Sequence, residues 1–455
     1  MLPCPSLRYR YLLCSERSLV AWILAVGILF VVAVTLRYLS VIIEGFSSTR
    51  DHAGNSDHRM KSNLQNSSCQ RLPHAPIIFN HSLDVVSRIY VISLPRRIDR
   101  RLQMDRLRDA LQLNWTYTDA CEANASVVTT ILHQVHVLRS QLMPQPKPGG
   151  NARMHHDIIV SAFDWPHNLE DAICSQGTLQ PSGADLWTRP SSHSLSDLDV
   201  HAEMADPYAL NFTRSPSELV QVSALSDPTP LACASGNDVS APFLPDLPLY
   251  RRLTPAKVAC WYSHLQTIRE IANGKDEAVL ILEDDVDIER DVKWRLRALL
   301  GALPNDWDIV YLGKSKLPQI WTTVNATIGH CWSDESRIPT LRNVSLRLPT
   351  GRTTLSGLHP ASSPKCTHAY MLSRIGARRV VAYLRHPPFA YSRAIDQALA
   401  WLIQSKRLRA FSIVPPVVVQ RKIDVSDVMP GLGSAWRDEL YYGVLGGQGT
   451  VLENV

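Results

Sequence analysis

The chain has 455 residues, 45% of them hydrophobic, and a formal net charge of +5. That length and composition are enough for one large α/β domain, or two smaller ones, with a buried core. The charge is mild and the basic residues are scattered, without an aromatic-interleaved basic patch or zinc-type Cys/His spacing, which excludes a nucleic-acid partner from the reading.

Leu19 to Leu36 is uncharged and almost wholly apolar. A membrane helix needs roughly 17–25 such residues, whereas the core of a cleaved signal peptide has about 7–15. No clear A-x-A site follows, so residues 19–43 are expected to form a signal-anchor transmembrane helix. Arg8, Arg10 and Arg17 precede it and predict a cytoplasmic tail at 1–18 with a lumenal body beyond, although Arg37 and Arg50 lie on the far side. N-x-S/T sequons at Asn66, Asn80, Asn114, Asn124, Asn211, Asn325 and Asn343 agree with a lumenal glycoprotein. Seven cysteines follow the anchor, at 69, 121, 174, 233, 260, 331 and 366. In an oxidising lumen some pair, and an odd count leaves at least one over. Cys331 with Cys366 is one pairing that would close a loop on the far side of the acidic strand described below.

Residues 44–87 are polar and read as a flexible stem. Order is predicted to begin at Arg88–Leu94, a β-rich run ended by Pro95. Ile98, Leu102, Leu107 and Leu111 then recur at helical spacing, and Trp115–Thr118 reads as a second strand. Residues 121–249 are rich in Pro, Ser, His and Asp; they are expected to be a partly disordered surface insertion, with short helices such as Val127–Leu142. Periodicity returns at Thr254, a plausible N-cap followed by Pro255. Val258, Trp261, Leu265, Ile268 and Ala272 follow at helical spacing up to Gly274. Further elements are a strand at Ala278–Leu282, a helix from Asp291 to Leu303 and a strand at Trp307–Gly313. After a turn-rich stretch at 314–365 come a strand at Thr367–Leu372, a helix capped by Ser373, a helix at Ala394–Gln404, and short strands at Arg409–Val414 and Val417–Gln420. Alternating strands and helices predict an α/β fold with a mostly parallel sheet flanked by helices on both faces. Residues 431–455 read as a tail.

The chemistry concentrates where Ala278–Leu282 runs into Glu283-Asp-Asp-Val-Asp287. Buried parallel strands read as continuous Val/Ile/Leu runs, and ligands of open α/β sheets bind outside the carboxyl ends of the strands. Carboxylates there are costly unless a cation or donors compensate them. Mn²⁺ or Mg²⁺ held by carboxylate oxygens and bridging to substrate phosphates fits that need. Two ligand sets stay open: Glu283 with Asp285 shares a strand face, with Asp284 opposite, while Asp285 with Asp287 is a literal D-x-D. An ordinary solvated acidic turn is the bland alternative. Arg96, Arg97 and Arg100 crowd the first strand-to-helix turn and suit a phosphate or nucleotide; a charged helix face is the alternative there.

Val91-Ile-Ser-Leu-Pro-Arg-Arg-Ile-Asp-Arg100 resembles the opening motif of glycosyltransferase family 25, which includes lipopolysaccharide-type glycosyltransferases and procollagen galactosyltransferases. Leu253-Thr-Pro-Ala-Lys-Val-Ala-Cys-Trp-Tyr-Ser-His-Leu265 resembles its second motif, Ala278–Val286 its third, and Thr367–Ala377 its later Tyr…Ser…Gly-Ala segment. The motifs cover about 88–125 and 250–430. The first gap is longer than the family's, and Ala256-Lys257 stands where the family often has Gly-Glu. The resemblance implies a GT-A-like fold over a domain at 88–430, a nucleotide-sugar donor, UDP-linked, and inversion at the anomeric carbon. It implies donor contacts from Leu94, Arg96, Arg97, Arg100, Ser263 and His264, and a metal at Glu283, Asp284, Asp285 and Asp287. Inversion requires a base for the acceptor hydroxyl; Asp396, ahead of a predicted helix, is the candidate, with a helix N-terminal carboxylate as the plainer role. Gln420 and Ser426-Asp427 lie in the closing region. The acceptor is a glycan, protein or lipid hydroxyl, and the location a secretory-pathway membrane, the Golgi. The alternative is a catalytically inactive relative acting as a lumenal binding or scaffold protein. A different phosphotransferase lacks support: Gly446-Gly447-Gln448-Gly449 is the wrong place for a phosphate loop.

Overall fold

The computed structural model describes residues 83, 85–142, 165–175, 177–189, 230–236, 238, 241, 243–313, 340–347, 353–421, 427–428, 440 and 442–446. All fall within one compact unit, Arg71–Val455. The predicted anchor at 19–43 lies outside the described residues, among which no helix is long and apolar enough to cross a membrane.

The described elements begin with strand β1 (Arg88–Ser93), helix α1 (Ile98–Leu111) and strand β2 (Thr116–Asp119). Helix α1 buries Met104, Leu107 and Leu111, whereas Ile98 and Leu102 are exposed. The predicted apolar stripe is therefore turned in its first half, because the basic first turn faces the site and not the core. Helices α2 (Ser126–Leu142) and α3 (Leu169–Cys174), a 3-10 turn at Gly183–Thr188 and strand β3 (Leu231–Ala232) lie in the predicted insertion. Their Val128, Ile131, Val135 and Ile173 are part of the main apolar core. The described parts of the insertion are thus built into the domain, and burial of such side chains contributes about 1.5–3 kcal/mol each.

Strand β4 (Arg252–Leu253) leads into helix α4 (Pro255–Asn273). The Thr254 side chain accepts from the Lys257 amide, as an N-cap does. All five predicted apolar positions of α4 are buried. Strand β5 (Ala278–Glu283), a turn at 284–285 and strand β6 (Val286–Ile288) follow. The acidic motif thus spans two strands and a turn, so simple strand alternation does not sort its side chains. Next come α5 (Val292–Leu300), β7 (Ile309–Tyr311), the hairpin β8 (Arg342–Arg347) and β9 (Thr353–Pro360), β10 (Ala369–Ser373), α6 (Arg374–Leu384), α7 (Ile395–Gln404), β11 (Ala410–Val414) and β12 (Val418–Gln420). The hairpin falls in the stretch read only as turn-rich. Ser373 caps α6 by accepting from the Gly376 amide at 2.9 Å. Gly376 is required there: a Cβ would stand 2.2 Å from the Asp308 carbonyl oxygen.

Eight strands form the sheet, in the order β2-β1-β5-β10-β7-β11-β9-β8. β10 and β9 run against the other six, so the sheet is mixed, with most strands in one direction. Alternate residues of β5 serve the two faces. Val279 and Ile281 join the core under α2, α4, α6 and α7; Leu280 and Leu282 join the one under α1 and α5. Parallel pairing of β1 with β5 brings the β1–α1 turn and the β5–β6 turn to the same sheet end.

Three described sequon asparagines, Asn114, Asn124 and Asn343, are exposed. Cys366 is disulfide-bonded; its expected partner, Cys331, lies outside the described residues. Cys174 is also disulfide-bonded, while Cys121, Cys233 and Cys260 are free thiols.

Candidate functional site

At the carboxyl end of β5 the four acids separate. Glu283 Oε1 accepts from the Thr367 hydroxyl at 2.7 Å and lies 3.3 Å from His264 Nε2. His264 Nδ1 is 2.9 Å from the Tyr370 hydroxyl, so α4 and β10 together hold the carboxylate. Burial pushes Glu283 up, but the His264 bond and charge and the Thr367 bond outweigh it and leave its pKa depressed. Glu283 remains 24% exposed.

Asp285 has the opposite balance. Its Oδ2 accepts from Gln420 at 3.1 Å and lies 3.4 Å from Arg100, while Oδ1 is buried with no hydrogen-bond partner among the described residues. Burial raises its pKa, and the charges of Glu283 and Asp284 raise it further against Arg100 and Gln420. A buried carboxylate oxygen without a donor is a cost that native structures avoid or use. A cation beside it would meet that cost.

Asp284 and Asp287 are differently placed. Asp284 Oδ1 accepts from Arg100 at 2.9 Å; burial raises its pKa despite that partner. Asp287 faces away into a backbone clasp, with its carboxylate accepting from the amides of Ile288 at 2.8 Å, Leu445 at 3.0 Å and Gly446 at 3.2 Å. Among the described residues no group of three His, Cys, Asp or Glu side chains is arranged to hold a metal ion.

The basic turn meets this acidic end. Leu94 closes it by accepting from the Arg97 amide at 2.9 Å. Arg100 spans Asp284, Asp285 and Asp427, and Arg97 and Arg96 reach Asp427 at 2.6 and 2.7 Å. Arg96 also bonds Glu122. The Ser263 hydroxyl donates to the Ala259 carbonyl at 2.7 Å and accepts from the Cys121 amide at 2.8 Å, tying α4 to the chain after β2. His264 is 1% exposed and acts through Glu283.

Asp396 opens α7, its Oδ1 accepting from the Gln397 amide at 2.8 Å. Burial raises its pKa, and the charge of Glu283 adds to the rise, while that amide, Lys365 and Lys257 oppose it. Burial pushes the Cys260 thiol pKa up, and the charges of Glu283, Asp396 and Asp285 add to the rise. Lys257 is buried and donates to the carbonyls of Leu249, Tyr250 and Arg252, clamping the loop that enters α4.

Sequence reasoning missed three contributors. Thr367 holds Glu283. His368 raises the positive potential around Glu283, and its ring fills the space beside Gly313, where a Cβ would stand 1.9 Å from Nε2. Gln420, noted only as part of a closing region, touches Asp285 itself. The Tyr-containing strand motif signalled the first two, but only side-chain contact shows what they hold.

Residues 239–398 match the pattern of Glycosyltransferase family 25 (LPS biosynthesis protein). The chain is 26% identical over 185 residues to procollagen galactosyltransferase 1-B of Xenopus laevis, covering 36% of this chain and 25% of that protein. It is 30% identical over 70 residues to procollagen galactosyltransferase 2 of Homo sapiens, covering 15% and 11%. It is also 32% identical over 83 residues to inactive glycosyltransferase 25 family member 3 of Homo sapiens, covering 17% and 14%. The matches thus span between about a tenth and a quarter of each relative. The matched region holds α4, β5 and β10 with His264, Glu283, Asp285 and Tyr370, so the likeness to glycosyltransferase family 25 lies in residues 239–398, where the acidic strand end sits.

Proposed function

We propose that this chain is a metal-dependent glycosyltransferase with a GT-A-like fold. It moves a sugar from a nucleotide-sugar donor, UDP-linked, to a hydroxyl of a glycan, protein or lipid acceptor, with inversion. The observation that carries this reading is Asp285, whose Oδ1 is buried without a donor among the described residues while its Oδ2 lies 3.4 Å from Arg100 of the β1–α1 turn. Mg²⁺ and Mn²⁺ are commonly held by only one or two carboxylates with substrate phosphates completing the shell. Asp285 with Glu283 fits that pattern better than Asp287, whose carboxylate is held by three backbone amides, because one Asp285 oxygen is left without a donor among the described residues. Such a cation, when bound, neutralises the departing diphosphate. Arg96, Arg97 and Arg100 orient the phosphates, and His264, Thr367 and Tyr370 fix Glu283. Asp396, with its raised pKa, takes the proton of the attacking hydroxyl. The same reading puts the domain in the lumen of the secretory pathway, in the Golgi, anchored by residues 19–43.

The second reading is a catalytically inactive relative that binds a partner. It is favoured by the resemblance to a protein named inactive and by the way Arg100 already balances Asp285.

The deciding experiment gives the full-length chain in detergent a panel of UDP- and GDP-sugars, with and without Mn²⁺, and measures donor hydrolysis and transfer. Metal-dependent turnover of one donor is expected. A folded protein that turns over none of them is the inactive relative. In an active enzyme, Asp396→Asn should lower kcat by about 10²-fold or more; an unchanged kcat removes Asp396 from the base role.

A further inference from the structure

The three arginines of the β1–α1 turn already hold an anion, and the chain itself supplies it. Asp427 lies 331 residues beyond Arg96 in sequence. Its Oδ1 accepts from Arg96 at 2.7 Å and its Oδ2 from Arg97 at 2.6 Å, with Arg100 3.5 Å from Oδ2. Arg97 and Arg100 are 13% and 14% exposed in this arrangement. The pKa of Asp427 is lowered: burial would raise it, but Arg96, Arg97 and Arg100 together prevail. Two guanidinium forks on the two oxygens of one anion is also how arginines take a phosphate.

The local charges sharpen the point. Among the described residues, Arg96, Arg97 and Arg100 are bonded to five carboxylates: Asp99, Glu122, Asp284, Asp285 and Asp427. Asp99 and Glu122 each engage one arginine, and Asp284 and Asp285 engage Arg100 from the sheet end. Among the described residues, Asp427 is the one shared by all three. A donor diphosphate that used these arginines would compete with Asp427 for them, because Asp427 already engages all three and like charges repel at this range.

We propose that Asp427 is an internal competitor for the donor's diphosphate. It holds the arginines in the geometry of a bound anion and must leave them when the diphosphate arrives. This rests on the donor reading of the basic turn given above. The consequence is a threshold: only a ligand that carries phosphate, and brings a cation to Asp285, offsets the ion pairs that are lost. A nucleoside without phosphate does not release Asp427.

The test is calorimetric titration of the full-length chain with UDP and with uridine, each with Mn²⁺, in the wild type, Asp427→Asn, Asp427→Ser and Arg97→Gln. Partly exposed ion pairs of this kind contribute modestly, so UDP should bind both Asp427 variants about three- to tenfold more tightly. Uridine affinity should not change, and Arg97→Gln should weaken UDP. UDP binding that is unchanged or weaker in both Asp427 variants overturns the proposal, since Asp427 then holds the arginines in favour of the donor. Equal gains for UDP and uridine overturn it too, because the competition is then not with phosphate. If folded wild type and all variants bind no UDP, the donor reading itself fails, and this inference with it.

Discussion

Asp285 and Asp287 are two residues apart and could hardly be treated more differently. Asp287 is buried and receives three backbone amide hydrogen bonds, two of them from residues 445 and 446. Asp285 has one buried oxygen with no donor and neighbours of like charge. The first is a structural clasp that secures a late segment of the chain against β6. The second is strained electrostatically in a way that folding alone does not require. An acidic motif is therefore not one object: the turn at 284–285 divides it, with the unsatisfied half at the sheet end and the half held by backbone amides against Leu445 and Gly446.

The largest expected effect tests the unsatisfied half. Asp285→Asn should reduce metal-dependent transfer by about 10³-fold, since a bound cation supplies several kcal/mol of charge stabilisation. Its melting temperature should hold or rise, because repulsion from Glu283 and Asp284 is relieved. Turnover that keeps its Mn²⁺ dependence and rate in this variant would remove Asp285 from the metal.

The converse substitution is next in size. Asp287→Ala leaves three amides without their acceptor and should cost about 3–4 kcal/mol in urea unfolding. Any fall in transfer should vanish at temperatures where the variant is fully folded. If stability is unchanged but activity is lost, the division between the two acids is wrong and the literal D-x-D is the metal site.

A smaller effect separates the halves by pH. Glu289 lies beside the clasp, accepting from the Tyr442 amide at 3.0 Å. Burial lifts its pKa to about 7, with Asp291 and Asp287 adding to the rise and Arg295 and the Tyr442 amide opposing it. Between about pH 4.3 and 7 the folded chain keeps a proton that the unfolded chain has lost, so stability falls as pH rises through that window. The change should be of order 2–3 kcal/mol, and Glu289→Gln should flatten it. A stability curve with the same slope in that variant would assign the effect to other groups.

Much of the frame was legible beforehand because it depends on local rules. The caps Thr254 and Ser373 and the apolar faces of α4 and α7 follow from backbone donors and helical period, and all are present. The hairpin β8–β9 was not legible: its strands have few apolar residues and take their place by pairing with β11. The face of α1 was read wrongly in its first turn for a related reason, since charge at the site outweighs period there. Likewise Lys257 looked like a departure in a motif and proves to be a buried clamp on three carbonyls.

The sequence by itself determined the α/β alternation, the place of the acids at a strand end and the basic turn after β1, because hydrophobic period and chain punctuation are local properties. Only the tertiary structure decided which acid is satisfied, that Ser263 ties α4 to the chain after β2, and that Asp427 fills the arginine fork. These depend on which donors meet each oxygen across 100 to 330 residues of chain, and spacing along the chain carries no record of that.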